Sequence, residues 1–300
     1  MLCIKIVERE YILVRVSDSM FFFVNKYTEQ NKKMAERTHV GNVATVEVFP
    51  TFVRKTFTSE NEIYKGMYEA EVEGLKMCTK FGFTPELYSE DPVGRSITMS
   101  RVGEHDGLDW VNANDKRIKE VRKTTLKIAF MLRKHLLVLH ENGICHGDVK
   151  LENLMFSFID SNISNIYIID FATSSFFNKD DPFNRNVRVS SDSFSSPESF
   201  SGLRRSSVRD DIWGFLACLF VWVSDGTPMF SRNDTWYYSF MDWYHHGHPQ
   251  YWEMVIMHGM LNTEACLIIM RWFNALRLQN WTKDPVFFPT EEEIEILFNA

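Results

Sequence analysis

The stretch 141–156, ENGICHGDVKLENLMF, decides how this chain is read. Between two apolar segments it sets His146, Asp148, Lys150 and Asn153 at fixed offsets, with Gly147 where a cation would be expected. Four chemically capable side chains inside apolar surroundings need a scaffold that fixes their geometry. The residues before the stretch, 115–142, predict a long helix whose apolar face carries Val121, Ile128, Met131, Leu132, Leu136 and Leu139. Two short strands follow, NLMF (153–156) and IYIIDF (166–171), and the second delivers Asp170 seventeen residues after Asn153.

Working outward, residues 1–100 alternate as strands do. EYILVRV (10–16), ATVEVF (44–49) and TFVRKTF (51–57) are rich in β-branched and aromatic residues, with FPT (49–51) as a tight turn between the last two. A single helical pattern from about Ile63 to Lys80 interrupts them, with Tyr64, Met67, Tyr68, Val72, Leu75 and Cys78 at helical spacing. The character changes after SRVGEHDG (100–107). An irregular polar stretch runs from Thr173 to Ser196, and the remainder reads as helical. No internal repeat and no low-complexity tract stands out. The expectation is an α+β chain: a small strand-rich lobe, residues 1–102 with 1–34 as an extension, then a larger helical lobe, 103–300.

The chain has 300 residues, enough to bury a substantial core, and its 25 Phe and 8 Trp make it rich in aromatics. A formal net charge of -7 argues against nucleic acid as a direct partner and favours a basic one. Cys3, Cys78, Cys145, Cys218 and Cys266 are scattered without a CxxC pair, which reads as free or buried thiols in a reducing compartment. The N-terminus breaks its apolar run with charges, so neither a signal peptide nor a membrane span is expected there. The most apolar segment, Ile212 to Val223, is too short to cross a bilayer. An intracellular protein, not secreted and not membrane-bound, is the expectation.

A carboxylate to hold a hydroxyl, a lysine to stabilise developing negative charge, and an Asn with a second Asp to ligate metal are the parts phosphoryl transfer requires. Upstream, FVRK (52–55) puts Lys55 at a strand end, and the predicted helix offers Glu71 to pair with it. At these residues the chain resembles eukaryotic-type serine/threonine protein kinases. HGDVKLEN (146–153) is similar to their catalytic loop and IIDFA (168–172) to their magnesium-binding motif. SPE (196–198), DIWGF (211–215) and DPVFFPTEEEI (284–294) resemble three later landmarks of the family, in order. The resemblance spans roughly residues 35–298 and implies a bilobal kinase fold using ATP and Mg²⁺.

Carried over residue by residue, it implies that Lys55 holds the α- and β-phosphates, with Glu71 as its helix partner and Glu69 and Glu73 as competing choices. Asp148 would accept the proton of the substrate hydroxyl, Lys150 would contact the transferring phosphoryl group, and Asn153 and Asp170 would coordinate magnesium. Gly41 in HVGNVATV (39–46) would belong to the phosphate-covering loop, and Val46 would sandwich adenine. Met99 stands at the gatekeeper position, with Ser100 to Val102 as the hinge that bonds adenine. The lysine two residues after Asp148, and Ser191 seven residues before Glu198, follow the serine/threonine pattern.

The departures matter as much. His39 and Ala44 stand where the family has its first and third glycines, and a backbone that cradles phosphates favours glycine. That substitution is the argument for the alternative of a pseudokinase acting as a nucleotide-binding or scaffold protein. Gly147 replaces the Arg that pairs with a phosphorylated loop, so loop phosphorylation is not the expected switch. Ala172 replaces a glycine. Phe288 replaces the Arg that pairs with Glu198, with Arg271 as a candidate substitute. YHHGHP (244–249) invites metal binding, but a solvated loop is the expected reading. Thr290 with Glu293 is read as a capping box and His146 as a packed core histidine, not a proton carrier. The narrower resemblance is to the baculovirus-encoded protein kinase, with poxvirus kinases next. It implies a basic virion or nucleoprotein substrate in the host nucleus or cytoplasm, or in the virion. The short helix before residue 80 raises the expectation of bracing by a partner or a second copy, a homodimer.

Overall fold

A computed structural model of the chain describes residues 35–41, 43–59, 66–114, 122–160, 162–177, 193–197, 207–230, 235–278 and 287–300, and the backbone of three strands within 7–25. It divides into two compact units, Met1–Thr79 with Pro85–Arg101, and Lys80–Thr84 with Val102–Ala300. The second break falls between Arg101 and Val102. The inclusion of Lys80–Thr84 in the helical unit was not anticipated.

In the first unit, β1 (Val7–Glu8), β2 (Tyr11–Ser17) and β3 (Met20–Asn25) form an antiparallel sheet. A second antiparallel sheet has the order β4-β5-β6-β8-β7. Its strands are β4 (Arg37–Val40), β5 (Ala44–Val48), β6 (Phe52–Phe57), β7 (Leu87–Asp91) and β8 (Ser96–Ser100). In β6 the alternation of side chains buries Lys55 and Phe57 on one face and leaves Arg54 exposed on the other. The predicted turn at 49–51 is closed by the stacked rings of Phe49 and Phe52, 4.3 Å apart. Helix α1 (Met67–Cys78) buries Tyr68, Glu71, Val72, Leu75 and Cys78 along one stripe. Tyr68 meets Phe57 edge-on at 5.9 Å, so that stripe faces the sheet. Ile63 and Tyr64 lie outside the described residues.

In the second unit, α2 (Gly107–Asn114) precedes α3 (Arg122–Glu141), whose Ile128, Ala129, Leu132, Leu136 and Leu139 are fully buried. The part of the predicted helix from 115 through Val121 lies outside the described residues. β9 (His105–Asp106) pairs with β11 (Leu154–Ile159), which forms a hairpin with β12 (Asn162–Ile168). β10 (Ile144–Cys145) pairs with β13 (Ser175–Phe176). The apolar run 212–223 lies in α4 (Val208–Val223), which is buried nearly all round because it is the core helix of this unit. Ser207 and Asp210 close its N-terminus as a capping box. Trp213 of α4 sits edge-on to Phe240, Tyr244 and Phe273, from α5 (Thr235–His246) and, beyond α6 (Gln250–Met257), α7 (Thr263–Leu278). The final helix, α8 (Glu291–Asn299), is entered by the predicted Thr290–Glu293 capping box. Among the described residues no helix is long and apolar enough to cross a membrane.

Lys80–Thr84 is bound into this second unit through the Phe83 ring and the carbonyls of Phe83 and Gly82, the latter accepting from Asn165 Nδ2 at 3.4 Å. Phe83 stacks on His135 of α3 at 4.0 Å and 7°, and its carbonyl accepts the Ile168 N–H at 2.9 Å. Burial, and then the charge of Lys134, push the His135 imidazole down to about 4. The unfolded chain therefore binds more protons than the folded one between about pH 6.5 and about pH 4. Stability should be unaffected above that window and fall as the pH drops through it, by about 2 kcal/mol between pH 7 and pH 5. Urea unfolding at those two pH values checks this, and His135→Leu should flatten its share of the slope; an unchanged slope in that variant would refute it.

Candidate active site

The residues of the opening stretch hang from the end of α3. Gly143, at φ 76°, turns the chain off the helix, and β10 carries it to His146. His146 is fully buried. Its Nε2 lies 2.9 Å from the Ile169 carbonyl, and its Nδ1 accepts the Asp148 N–H at 3.3 Å. A single neutral tautomer with the proton on Nε2 satisfies both bonds. The ring meets Phe171 edge-on at 4.9 Å, so the packed, backbone-bonding reading of this histidine is what the structure displays.

The loop is held from below by Asp211, in the first turn of α4 and fully buried. Its carboxylate accepts the backbone N–H groups of His146 at 2.8 Å and Gly147 at 2.7 Å, and lies 2.9 Å from Nε2 of His140. Burial by itself would raise this carboxyl. The hydrogen bond and charge of the His140 ring, and the Gly147 N–H, outweigh it and hold Asp211 below the usual carboxylate value. One turn further along α4, a Cβ on Gly214 would come within 2.4 Å of the Val149 carbonyl, so the missing side chain admits the loop against the helix.

Gly147 stands at φ 84°, in the left-handed region where a Cβ is disfavoured. The absent cation therefore has a backbone reason as well. Gly147→Arg, which places a cation there, should cost about 1–2 kcal/mol of stability in a denaturant titration, and no loss would contradict the strain.

Above this anchor, Lys150 Nζ donates to Asp148 Oδ2 at 2.7 Å. Asn153 Nδ2 donates to the Asp148 carbonyl at 2.8 Å and to its Oδ2 at 3.2 Å. Asn153 returns a carbonyl bond to the Ile169 N–H at 3.0 Å, which ties the loop to the strand end that carries Asp170. Asp170 itself sits at φ 66°, ψ 72°, an uncommon backbone state for an aspartate. The Asn153 amide nitrogen is directed at Asp148, and its amide oxygen together with an Asp170 carboxylate oxygen would be the ligands offered to a metal. Both are oxygen ligands of the kind Mg²⁺ takes, so the donor chemistry fits that ion.

The other predicted residues lie mainly in the first unit. Lys55 Nζ meets Glu71 Oε2 at 2.9 Å, both side chains nearly fully buried, whereas Glu69 and Glu73 are exposed. Gly41 opens the β4–β5 turn, its N–H donating to the Ala44 carbonyl at 2.9 Å, and a Cβ there would stand 3.3 Å from that oxygen. His39 is exposed on β4 and pairs in register with Val46, which in turn faces Lys55. Met99 is buried in β8 beside Val53 and Leu87. Ser100 is engaged with Glu86, giving its N–H to the Glu86 carbonyl and accepting the Glu86 N–H on its hydroxyl, each at 2.8 Å. Val102 begins the second unit's long segment and is half-buried. The next residue, Gly103, passes so close to Met155 and Phe156 that a Cβ would meet the Met155 Cβ at 2.6 Å.

Ser191 and Glu198 lie outside the described residues. Ser196 donates to Asp210 at 2.8 Å and Pro197 is buried, so the start of the SPE motif is fastened to the first turn of α4. Phe288 packs edge-on to Phe215 at 5.2 Å, beneath the Arg133 guanidinium at 5.3 Å. Arg271, the candidate substitute for its missing charge, is two-thirds exposed and pairs with Glu293 at 3.3 Å. The YHHGHP segment departs from the expected loop: Tyr244–His246 form the last turn of α5.

The family comparison matches the protein kinase domain over residues 88–253, a span that includes Asp148, Lys150, Asn153 and Asp170 and begins after Lys55 and Glu71. Among curated proteins, the B1 kinase of monkeypox virus is 27% identical over 202 residues, 65% of this chain and 63% of that protein. The vaccinia virus (strain Western Reserve) B1 kinase is 26% identical over the same extent. A probable serine/threonine-protein kinase KIN1 homolog of Enterocytozoon bieneusi is 33% identical over 94 residues, 31% of this chain and 15% of that protein. The match thus spans a little under two thirds of the length of the poxvirus relatives.

Proposed function

Since this chain belongs to the protein kinase domain family, we propose that it transfers the γ-phosphate of ATP to serine or threonine hydroxyls of a protein. The observation that carries this is the Asp148 carboxylate, gripped by Lys150 and Asn153 on a loop that Asp211 anchors from a buried helix. Asp148 accepts the hydrogen of the attacking hydroxyl and fixes its direction. Lys150 offsets negative charge on the group in transit. Lys55, steadied by Glu71, holds the α- and β-phosphates. Mg²⁺ on Asn153 and Asp170 supplies charge neutralisation of the phosphate oxygens.

Serine/threonine choice is supported by Lys150 at its offset from Asp148 and by the name of the Enterocytozoon relative. A viral origin is supported by the poxvirus relatives; the baculovirus resemblance rests on HGDVKLEN alone. The net charge of -7 favours a basic protein substrate, in keeping with a virion or nucleoprotein target inside the host cell.

The alternative is a pseudokinase, favoured by His39 and Ala44 in the phosphate-covering turn. Incubation with labelled ATP, Mg²⁺ and a basic Ser-rich protein, followed by phosphoamino-acid analysis, separates the two. Label on serine or threonine that vanishes without Mg²⁺ is the expected result. Label on tyrosine alone would overturn the acceptor assignment. No label, together with an ATP-induced rise in melting temperature, would make the chain a nucleotide-binding pseudokinase.

A further inference from the structure

We propose that Asp242, His246 and His248 form a surface site for a divalent transition-metal ion of the Zn²⁺ class, separate from the Asn153–Asp170 pair. The three donors are assembled by the way α5 ends. Asp242 and His246 are four residues apart and so share one face of the helix. Gly247 then takes φ 79°, donating its N–H to the Trp243 carbonyl, and this left-handed turn brings His248 back over the same face. The result places His246 Nδ1 3.0 Å from Asp242 Oδ1 and His248 Nδ1 2.8 Å from Asp242 Oδ2. The ligand atoms of all three residues lie within 4.8 Å of one another.

The chemistry selects the ion. Two imidazole nitrogens and a carboxylate oxygen suit zinc and its neighbours in the transition series, whereas Mg²⁺ and Ca²⁺ prefer all-oxygen sets. Zn²⁺ binds nitrogen and oxygen at about 2.0–2.2 Å, so tetrahedral donors stand on the order of 3.3 Å apart. The two histidine–Asp242 pairs, which now use different carboxylate oxygens, would open by about 0.3–0.5 Å, and small side-chain rotations would bring the three donors, already within 4.8 Å of one another, onto one ion. Both rings aim Nδ1 inward: without an ion each Nδ1–H donates to the Asp242 carboxylate, and metal binding would move each proton to Nε2 and turn two lone pairs toward the ion. The carbonyls ending α5 add a partial negative charge beneath the site. Three protein ligands leave a fourth position for water or for a side chain of another molecule.

The site is exposed, so its residues can be replaced with little effect on folding. Chelator-stripped full-length protein, titrated with Zn²⁺ by calorimetry and with Co²⁺ by visible absorption, should take up one ion with a tetrahedral cobalt spectrum. His246→Ala and His248→Ala should each weaken Zn²⁺ on the order of 100-fold, at or beyond the ~10–100-fold typical of residues that merely orient ligands. Asp170→Asn should leave this affinity and the cobalt spectrum unchanged, which separates the site from the catalytic metal pair. Binding that survives both histidine changes, binding lost on Asp170→Asn, or no uptake by the unaltered protein would each overturn the assignment.

Discussion

Asp148→Asn is expected to slow phosphoryl transfer to a protein hydroxyl by about 10²–10⁴-fold, the usual worth of a positioned proton acceptor. The substitution keeps the shape of the side chain. Its amide oxygen still accepts from Lys150 or Asn153, whose bonds to Asp148 measure 2.7 and 3.2 Å, and the backbone bond from Asn153 to the Asp148 carbonyl is untouched. What disappears is the negative charge and the basic oxygen facing the substrate hydroxyl. The loss should therefore fall on kcat, with the KM for ATP and the melting temperature nearly unchanged. Equal rates for the two proteins in a labelled-ATP assay would remove Asp148 from the chemistry. A loss explained by a raised KM for the protein substrate and an intact kcat would place it in substrate binding instead.

The largest structural effect is expected at Asp211. Asp211→Ala removes the acceptor for two backbone N–H groups and for the His140 ring in a place with no solvent access. Each stranded buried donor costs about 1–3 kcal/mol, so a total destabilisation of about 3–5 kcal/mol is expected in urea unfolding. Asp211→Asn should fall between, since its oxygen keeps one donor while its amide faces another. Amide exchange at His146 and Gly147 should accelerate in both variants. A stability within about 1 kcal/mol of the unaltered protein would mean that the loop is not anchored through this carboxylate. Because Asp211 is held below the ordinary carboxylate value, its contribution is complete above about pH 4 and is lost as the pH falls below it.

Part of this was legible in residue order. The strands at 44–48 and 52–57 announce themselves through β-branched and aromatic alternation, and Glu71 is singled out by Leu75 one turn later on the buried stripe of α1. The candidate site was legible because Asp148, Lys150, Asn153 and Asp170 are close in sequence and separated by short, recognisable elements. What escaped depends on three-dimensional return. Gly147 reads as a missing cation until its φ of 84° is known. Gly214 draws no notice in the sequence, and its role shows only when Val149 is found against it. YHHGHP reads as a polar loop because periodicity does not reveal that Gly247 reverses the chain onto Asp242. In each case a backbone conformation or a distant neighbour, absent from any local pattern, decides the residue's role.

The placement of Lys80–Thr84 has a consequence for how the protein can be taken apart. The chain leaves the strand-rich unit after Thr79, returns at Pro85 and leaves again after Arg101, so the two units are interlaced along it. A fragment starting at residue 103 would lack Phe83, and with it the ring stacked on His135 and the carbonyl that receives the Ile168 N–H. The complementary fragment, residues 1–102, would carry Phe83 with nothing from α3 to cover it. No single scission of the chain, whether by protease, recombination or gene fission, yields both units whole.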